Sequence, residues 1–308
     1  MGGDNKSARA GARSLGRILD QPGRLATAGR RLGFRVLLRS GIGRRVVPRL
    51  LALTRRPSPL DLDRSVFRHV DQDAVLQEVR ARGVFLGLNL PLEILAEIED
   101  YVRMAECRGG FGDPGDARCV FRYADREAAQ RAFGKTFIIA HYRAVASHCP
   151  AIGRLLDDPM LLSIATRYLG APPAFRVAML WWSFATAATV QERLRAAQTV
   201  HYHFDEFDYK FVYFNFYITE VDADAGPHVC VASSHVRKSL RQRLAPANQS
   251  DESIVAHYGS GSVLTITGPA GFGFVEDAYC YHKATPPSRR DRLFLQIRLA
   301  LSGNIDQE

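Results

Sequence analysis

The chain has 308 residues, 46% hydrophobic and 24% charged, a composition that excludes an intrinsically disordered chain and allows a full hydrophobic core. The net charge of +9 comes from one end: residues 1–56 hold 14 Lys or Arg and two acidic residues, whereas residues 57–308 hold 27 basic and 30 acidic residues. The longest apolar run, residues 177–190, is too short to span a membrane, and the sequence carries no nucleic-acid-binding motif.

The five cysteines include no CxxC pair and do not form an even-numbered framework. In a chain of this size, that pattern is typical of free thiols in a reducing compartment. No apolar stretch near the first residue resembles a signal peptide. We therefore expect a cytoplasmic protein without a transmembrane segment.

The basic segment, residues 1–56, interleaves arginines with apolar residues. The segment is expected to be partly disordered or short-helical, with disorder over residues 1–11, which contain Gly, Ala and Ser. Apolar residues at helical spacing near residues 15–19 and 32–37 predict short helices, because three glycines and Pro48 would break a longer one. A basic amphipathic segment of this kind indicates peripheral contact with an anionic membrane or an acidic partner. The alternative is a solvated tail packed loosely on the folded domain.

The folded domain is predicted to cover residues 57–308. Its first half has helical periodicity, and Gly83 and Gly170 stand where two of the helices should end. The predicted helices lie at residues 71–82, 92–107, 125–133 and 152–169, the last interrupted near Pro159, with a short strand at 84–88.

After residue 173 the pattern changes to short strands separated by turn residues. A helical first half followed by an all-β second half predicts an α+β fold with an antiparallel sandwich or barrel. The predicted strands lie at residues 175–184, 199–204, 209–219, 228–231, 262–267, 271–275, 279–282 and 292–301.

A metal-binding pair lies in His203-Phe204-Asp205. Residues two apart on a strand share one face of the sheet, so His203 and Asp205 can bind one metal ion together. A second histidine would complete the two-His-one-carboxylate triad of non-haem Fe(II) oxygenases, which leaves coordination positions open. His201 shares the same face and is the alternative ligand, but we prefer His203 because it has the carboxylate at the required spacing.

The best-placed distal histidine is His282, at the end of a predicted strand. Arg292 lies ten residues further on, at the start of the last strand. A guanidinium near the metal could bind the far carboxylate of a dicarboxylate co-substrate with two parallel hydrogen bonds. Arg290 is the alternative for this role. Aromatic residues could wall an apolar substrate pocket or belong to the core: Trp181, Trp182, Phe184, Tyr213 and Tyr217.

At these positions, from about residue 71 to 301, the chain resembles the phytanoyl-CoA dioxygenase family of Fe(II)/2-oxoglutarate-dependent oxygenases. Two departures are Ser233 and Ala284, where the family commonly has glycine; neither removes a ligand. The motifs stand in the family's order: Gly83-Val84-Phe85, His203-Phe204-Asp205, Thr219-Glu220-Val221-Asp222, Gly226-Pro227-His228, Ser234-His235, Glu276-Asp277, His282, Pro286-Pro287, Arg292 and Leu295-Gln296.

The resemblance implies a double-stranded β-helix, a jelly-roll or cupin-like barrel, with packed helices mostly from the N-terminal half. It implies that His203, Asp205 and His282 are the catalytic iron ligands. Arg292, with Ser288, would then bind 2-oxoglutarate.

The implied reaction consumes 2-oxoglutarate and O₂, releases succinate and CO₂, and hydroxylates an unactivated C–H bond of a small molecule, lipid or natural product. Related halogenases lack the carboxylate ligand, so Asp205 favours hydroxylation, desaturation or ring chemistry over halogenation. Two alternatives remain: a catalytically silent family member that binds a membrane or partner through its basic segment, and a cupin-like metal enzyme that uses no 2-oxoglutarate.

Overall fold

The computed structural model describes residues 33–34, 36–110, 118–245 and 247–302. Two compact units are distinguished by contacts within the chain, Met1–Val47 and Pro48–Glu308. The described part of the first unit is helical, and the sheets lie wholly in the second unit. Among the described residues, no helix is both long and apolar enough to cross a bilayer.

Eleven strands of the described chain form two antiparallel sheets. The large sheet has eight strands in the order β1-β9-β6-β11-β5-β4-β2-β3, and the small sheet has three in the order β10-β7-β8. The strands are β1 Val84–Leu86, β2 Glu106–Gly109, β3 Val120–Arg122, β4 Ile139–Tyr142, β5 Phe175–Ser183, β6 Phe211–Tyr217, β7 His228–Val231, β8 Val263–Ile266, β9 Gly273–Glu276, β10 His282–Ala284 and β11 Arg292–Ala300.

Most of the helices precede the main strands, as predicted. Asp158 shows how one helix is fixed: its buried carboxylate caps the helix at Met160 and Leu161 and also accepts hydrogen bonds from Ser65. The α-helices are α1 Ile42–Thr54, α2 Gln72–Arg82, α3 Leu92–Met104, α4 Arg126–Phe133, α5 Val145–His148, α6 Pro150–Leu156, α7 Pro159–Leu169, α8 Val190–Arg195, α9 Ser234–Arg237, α10 Leu240–Leu244 and α11 Asp251–Tyr258.

The long strand β11 separates the hydrophobic core from the interior of the barrel. Its odd-numbered residues, Leu293 to Leu299, belong to the large core cluster that includes Ile94 of α3 and Leu161 of α7. Its even-numbered residues face the opposite side, where Phe294 packs in a second cluster with Cys230 of the small sheet. Side chains of both sheets therefore meet on the face of the large sheet opposite the helices.

This architecture confirms the predicted α+β class and the cupin or jelly-roll fold with packed helices. The strands at 175–183, 211–217, 228–231, 263–266 and 292–300 lie within the predicted ranges. The strand predicted at 279–282 is wrong, because residues 278–280 form a turn and the strand runs from His282 to Ala284. Residues 199–204 were expected to form a strand, but that prediction is wrong: the segment has only isolated bridges, from Tyr202 to Gln249 and from His203 to His282.

Other expectations also need correction. The helix α1 continues through Gly43 and Pro48, which were expected to end it, whereas Gly41, at φ +77°, precedes its start. Strands β2, β3 and β4 were not predicted, because each has only three or four residues and lacks a clear alternation. The proposed domain start near residue 57 stays a prediction. Residues 1–11 and the apolar groups at residues 15–19 lie outside the described residues.

Candidate metal centre

Three side chains, His203, Asp205 and His282, converge in the space between the two sheets. Their potential ligand atoms lie within 4.8 Å of one another. The Oδ1 atom of Asp205 is 3.7 Å from Nε2 of His203 and 3.9 Å from Nε2 of His282. This is the only such cluster of three or more metal-ligating side chains within the described residues. The distal histidine expected from the sequence is therefore brought to the His-x-Asp pair.

The backbone holds these ligands together although residues 203–205 lie outside a regular strand. The N–H groups of His203 and His282 each donate to the other's carbonyl, at 2.9 and 2.8 Å. Two residues on, the Asp205 N–H donates to the Ala278 carbonyl at 2.8 Å. A regular ladder would pair Asp205 with Cys280, so the pairing is irregular, but these bonds hold residues 203–205 alongside the segment 278–282 and both ligand side chains lie together.

Both imidazoles are oriented by the same device. His203 Nδ1 lies 3.1 Å from the His201 carbonyl oxygen, and His282 Nδ1 lies 3.0 Å from the Cys280 carbonyl oxygen. A carbonyl can only accept, so each Nδ1 carries the proton and donates it, which leaves the Nε2 lone pair free. Such outer hydrogen bonds fix the tautomer and the ring direction in metal sites. His201 contributes its carbonyl, and its exposed side chain is not brought into the site.

The charge state of the cluster suits a cation. Burial lowers the pKa of His203 to about 4, assisted by His282, so the ring is neutral at pH 7. Burial opposes ionisation of Asp205, but the two imidazoles and Arg298, together with the Tyr213 hydroxyl, outweigh it, and the Asp205 pKa lies below its usual range. The site thus combines two imidazole nitrogens with one ionised carboxylate.

Tyr213 holds the second oxygen of that carboxylate. Its hydroxyl donates to Asp205 Oδ2 at 2.7 Å. Burial and the neighbouring Asp205 charge raise the pKa of Tyr213 well above its usual value, so the hydroxyl remains a donor. Because Oδ2 is occupied, Oδ1 is the oxygen presented between the two Nε2 atoms.

The cluster opens into a cavity of about 570 Å³. Alternate residues of β11 project into it, opposite inward residues of β5 and residues of the small sheet. The residues that line the cavity include Met179, Trp181, Ser183, Phe207, Tyr213, His228, Glu276, Arg292, Phe294, Gln296 and Arg298.

Arg292 is a buried cation in this cavity, 4% exposed. One terminal nitrogen donates to the Gly226 carbonyl and the other lies 3.4 Å from Ser183 Oγ, while Nε has no partner among the described residues. Only glycine fits at position 226: φ is +74° and a Cβ would lie 2.5 Å from the Thr285 carbonyl oxygen. Burial lowers the pKa of Arg292. A buried guanidinium held by neutral groups has the charge and the donors to bind an anion.

The other residues considered for the co-substrate lie elsewhere. Arg290 is exposed and forms salt bridges with Glu220, at 3.2 Å, and with Asp222. Ser288 is exposed, and its hydroxyl lies 2.9 Å from a carboxylate oxygen of Asp224. The structure therefore does not bring Ser288 to the cavity, and it gives no support to a role for that residue in binding 2-oxoglutarate.

Of the aromatic residues expected to form a pocket wall, Trp181 and Tyr213 line the cavity. Trp182 and Phe184 belong to the core beneath the helices, and Tyr217 is fully buried in the smaller cluster. Two features of the wall were not predicted from the sequence. One is the pair His228 Nε2 and Glu276 Oε2, 3.0 Å apart. The other is Arg298, which the two-residue period counted from Arg292 could have identified.

Neither a family model nor a curated protein matches the chain. Solved structures do. EvdO2 from Micromonospora carbonacea var. aurantiaca, solved with 2-oxoglutarate, is 14% identical over 77% of this chain and 93% of its own, with a TM-score of 0.51. SnoK, a non-heme alpha ketoglutarate dependent carbocyclase from nogalamycin biosynthesis, is 13% identical over 80% of this chain and 88% of its own, with a TM-score of 0.50. At these identities the similarity establishes a shared fold. Membership of the phytanoyl-CoA dioxygenase family stays a prediction.

Replacing Tyr213 with Phe should weaken divalent-metal binding about 10- to 100-fold without abolishing it, because the variant loses only an outer hydrogen bond to a ligand. Calorimetric titration with Co(II), in the absence of O₂, measures the change. Tyr101→Phe removes a hydroxyl from a tyrosine that packs against Tyr142, outside the cavity, and serves as the control. Equal affinities for Tyr213→Phe and the unaltered protein would show that the Asp205–Tyr213 bond does not orient a ligand.

Proposed function

We propose that the chain is an Fe(II)/2-oxoglutarate-dependent dioxygenase that hydroxylates an unactivated C–H bond of a small-molecule, lipid or natural-product substrate, with succinate and CO₂ as co-products. The observation that carries the proposal is the combination of two groups in one cavity. These are the His203, Asp205 and His282 cluster, with its free lone pairs converging, and the buried Arg292 with an unpartnered nitrogen. A cupin-like metal enzyme without a diacid co-substrate would have no use for that arginine.

The donor set fits iron(II). Two imidazole nitrogens and one carboxylate oxygen from one side are the facial set of non-haem Fe(II) oxygenases, and they leave positions free for the co-substrate and O₂. When bound together, iron and 2-oxoglutarate supply the oxidising chemistry, and the protein supplies binding and orientation. Asp205, held by Tyr213, occupies the position that halogenases leave to halide, which supports hydroxylation over halogenation.

Arg292 fits the far carboxylate of 2-oxoglutarate. It presents a charged, planar donor set in the same cavity as the metal cluster, and it has no carboxylate partner within the described chain. A diacid whose other end reaches the metal would provide the missing negative charge. The bonds to Gly226 and Ser183 hold the guanidinium in place before the co-substrate binds, which reduces the entropy lost on binding.

The remaining wall suits an organic substrate. Met179, Trp181, Phe207 and Phe294 give the cavity apolar surfaces next to the ligand cluster. Such surfaces exclude water and bind a carbon skeleton, and the cavity volume lies in the range usual for small-molecule sites. This wall and the complete ligand set favour an enzyme over a catalytically silent binding protein.

The experiment that tests the proposed function compares Asp205→Ala, His203→Ala and His282→Ala with the unaltered protein. Each variant should lose more than about 100-fold in metal affinity, beyond the loss typical of outer-sphere changes, because the two remaining ligands cannot form the facial site. Succinate release from 2-oxoglutarate, dependent on added Fe(II), should disappear with it. Asp100→Ala, at an exposed ion pair on α3, is the matched control. Ordinary succinate release by Asp205→Ala would refute the proposal.

The co-substrate assignment predicts a different pattern for arginine. Arg292→Ala should weaken 2-oxoglutarate binding by roughly 2–4 kcal/mol, because a charged, bidentate donor is lost from a buried site. Metal affinity should change far less. Calorimetric titration of the Co(II)-loaded protein with 2-oxoglutarate measures both steps, and Arg290→Ala is the control on the same loop. If the affinity for 2-oxoglutarate falls in Arg290→Ala and is unchanged in Arg292→Ala, then Arg290 binds the co-substrate and the assignment to Arg292 is wrong.

We also propose that the basic N-terminal segment binds anionic membrane surfaces. The helix α1 leaves Ile42, Val46, Leu50 and Leu53 exposed, and helical spacing places them along one side. Arg49 is exposed beside them. An exposed apolar stripe flanked by arginines is typical of a helix that lies in a membrane interface.

The double variant Leu50→Gln, Leu53→Gln and the single variant Arg49→Gln should each reduce sedimentation with phosphatidylserine vesicles. The first loses apolar insertion, and the second loses about 1 kcal/mol of attraction to an anionic surface. Leu92→Gln, at an exposed leucine of α3, is the control. Binding should fall as salt rises. Undiminished vesicle binding by both α1 variants would exclude the helix as the contact.

A further inference from the structure

A second arginine, Arg298, lines the cavity at the other end of β11 from Arg292. The two Cα atoms are six residues apart on one strand, roughly 20 Å at the usual rise. Each guanidinium is held near its own end: Arg292 by Gly226 and Ser183, and Arg298 over the Tyr213 ring at 4.9 Å. A carboxylate bound by Arg292 therefore lies at the other end of β11 from Arg298.

Arg298 belongs to a row of polar side chains. Its Nε donates to Gln296 Oε1, and Gln296 Nε2 donates to Asn215 Oδ1 at 2.8 Å. Gln296 is 7% exposed and Asn215 is fully buried, and the Asn215 amide nitrogen has no partner among the described residues. Arg298 keeps its terminal nitrogens as donors toward the cavity, and Gln296 keeps a second amide hydrogen.

Asp205 is the carboxylate that interacts with Arg298 before a metal ion binds. With iron bound, the charges of the metal and of 2-oxoglutarate cancel, and those of Asp205 and Arg292 cancel as well. Glu276 lies beside His228. Glu206 also lines the cavity, but the described contacts of Arg298 are with Tyr213 and Gln296. In the loaded site the Arg298 charge has therefore lost the Asp205 carboxylate as its nearby counter-charge.

We propose that Arg298, with Gln296, forms a subsite for an oxyanion of the primary substrate, a carboxylate or a phosphate. The inference rests on the proposed function and deepens it by naming a substrate class. Tyr213 bonds to the metal ligand Asp205 and stacks on Arg298, so an oxyanion at Arg298 would be anchored beside the metal, on the side away from Arg292. The apolar wall would then contact the carbon skeleton.

The test uses protein loaded with Co(II) and saturating 2-oxoglutarate, and ligand-observed NMR of four probes: benzoate, phenyl phosphate, and the neutral methyl benzoate and benzyl alcohol. Paramagnetic Co(II) speeds the relaxation of probe protons only near the metal, so it reports the place of binding as well as the affinity. Before the NMR experiment, calorimetric titration measures the binding of Co(II) and of 2-oxoglutarate to the protein. Failure of those two to bind refutes the proposed function itself, independently of Arg298.

In the unaltered protein, at least one of the two anionic probes should bind about 10- to 100-fold more tightly than the neutral probes, the range for a charged hydrogen bond. If only benzoate binds tightly, the subsite takes a carboxylate, and if only phenyl phosphate binds tightly, it takes a phosphate. If both bind tightly, the subsite recognises the oxyanion chemistry that the two probes share. Arg298→Gln should remove the preference and Arg298→Lys should keep part of it, whereas Arg289→Gln, at a mostly exposed arginine, should keep all of it.

Three results would overturn the inference. The anionic and neutral probes could bind the unaltered protein with equal affinity, or neither kind of probe could bind at all. Arg298→Gln could keep the full preference for the anions. The anionic probes could bind only by releasing 2-oxoglutarate, which would place them at Arg292. The comparison of acid with ester in the unaltered protein does not depend on the folding of any variant.

Discussion

The reciprocal backbone hydrogen bonds between His203 and His282 are the contact on which the candidate site depends. They join a segment without regular secondary structure to the first residue of β10, and they bring the distal histidine to the His-x-Asp pair. A separate bond, from the Asp205 N–H to the Ala278 carbonyl, then holds the carboxylate beside the two rings. A shift of one residue in this pairing would turn the ligands away from each other. The ligands can thus be brought together without a regular strand at residues 203–205, but the pairing of His203 with His282 has to be kept.

The strand β11 provides the second constraint. Its odd-numbered residues fill the core beneath the helices, so its even-numbered residues have to face the cavity. The hydrophobic effect that holds Leu293 to Leu299 in the core therefore also determines where Arg292 and Arg298 point. Two cations are presented to one cavity because the opposite face of the strand is apolar. The positions of the two arginines thus follow from the packing of core residues on the opposite face of the strand.

The parts that local pattern determines were predictable, and the parts that depend on distant contacts were not. The main strands, the capped helices and the His203-x-Asp205 spacing follow from periodicity and local chemistry. The short strands β2 to β4 are defined by their partners, and their sequences carry too few residues to show it. The environment of Ser288 was also inaccessible, because its hydroxyl is bound by Asp224 from a turn far away in the sequence. Arg298 was within reach, since it lies on the same face of the predicted last strand as Arg292.

The buried charges of this cavity indicate a site organised for its ligands and not for stability. Arg292 is buried among neutral acceptors with one nitrogen unpaired, and the ionised Asp205 lies between two imidazole rings. Removing such groups from water costs free energy that the described neighbours offset only in part. A divalent cation would complete the environment of Asp205, and a diacid would complete that of Arg292. Buried polar groups that lack partners occur in proteins mainly at functional sites. Here the unpartnered nitrogen of Arg292 lies in the same cavity as the only cluster of metal-ligating side chains in the described chain. The two ligands should therefore stabilise the fold as they bind, since each supplies a charge that the folded chain has left unpaired.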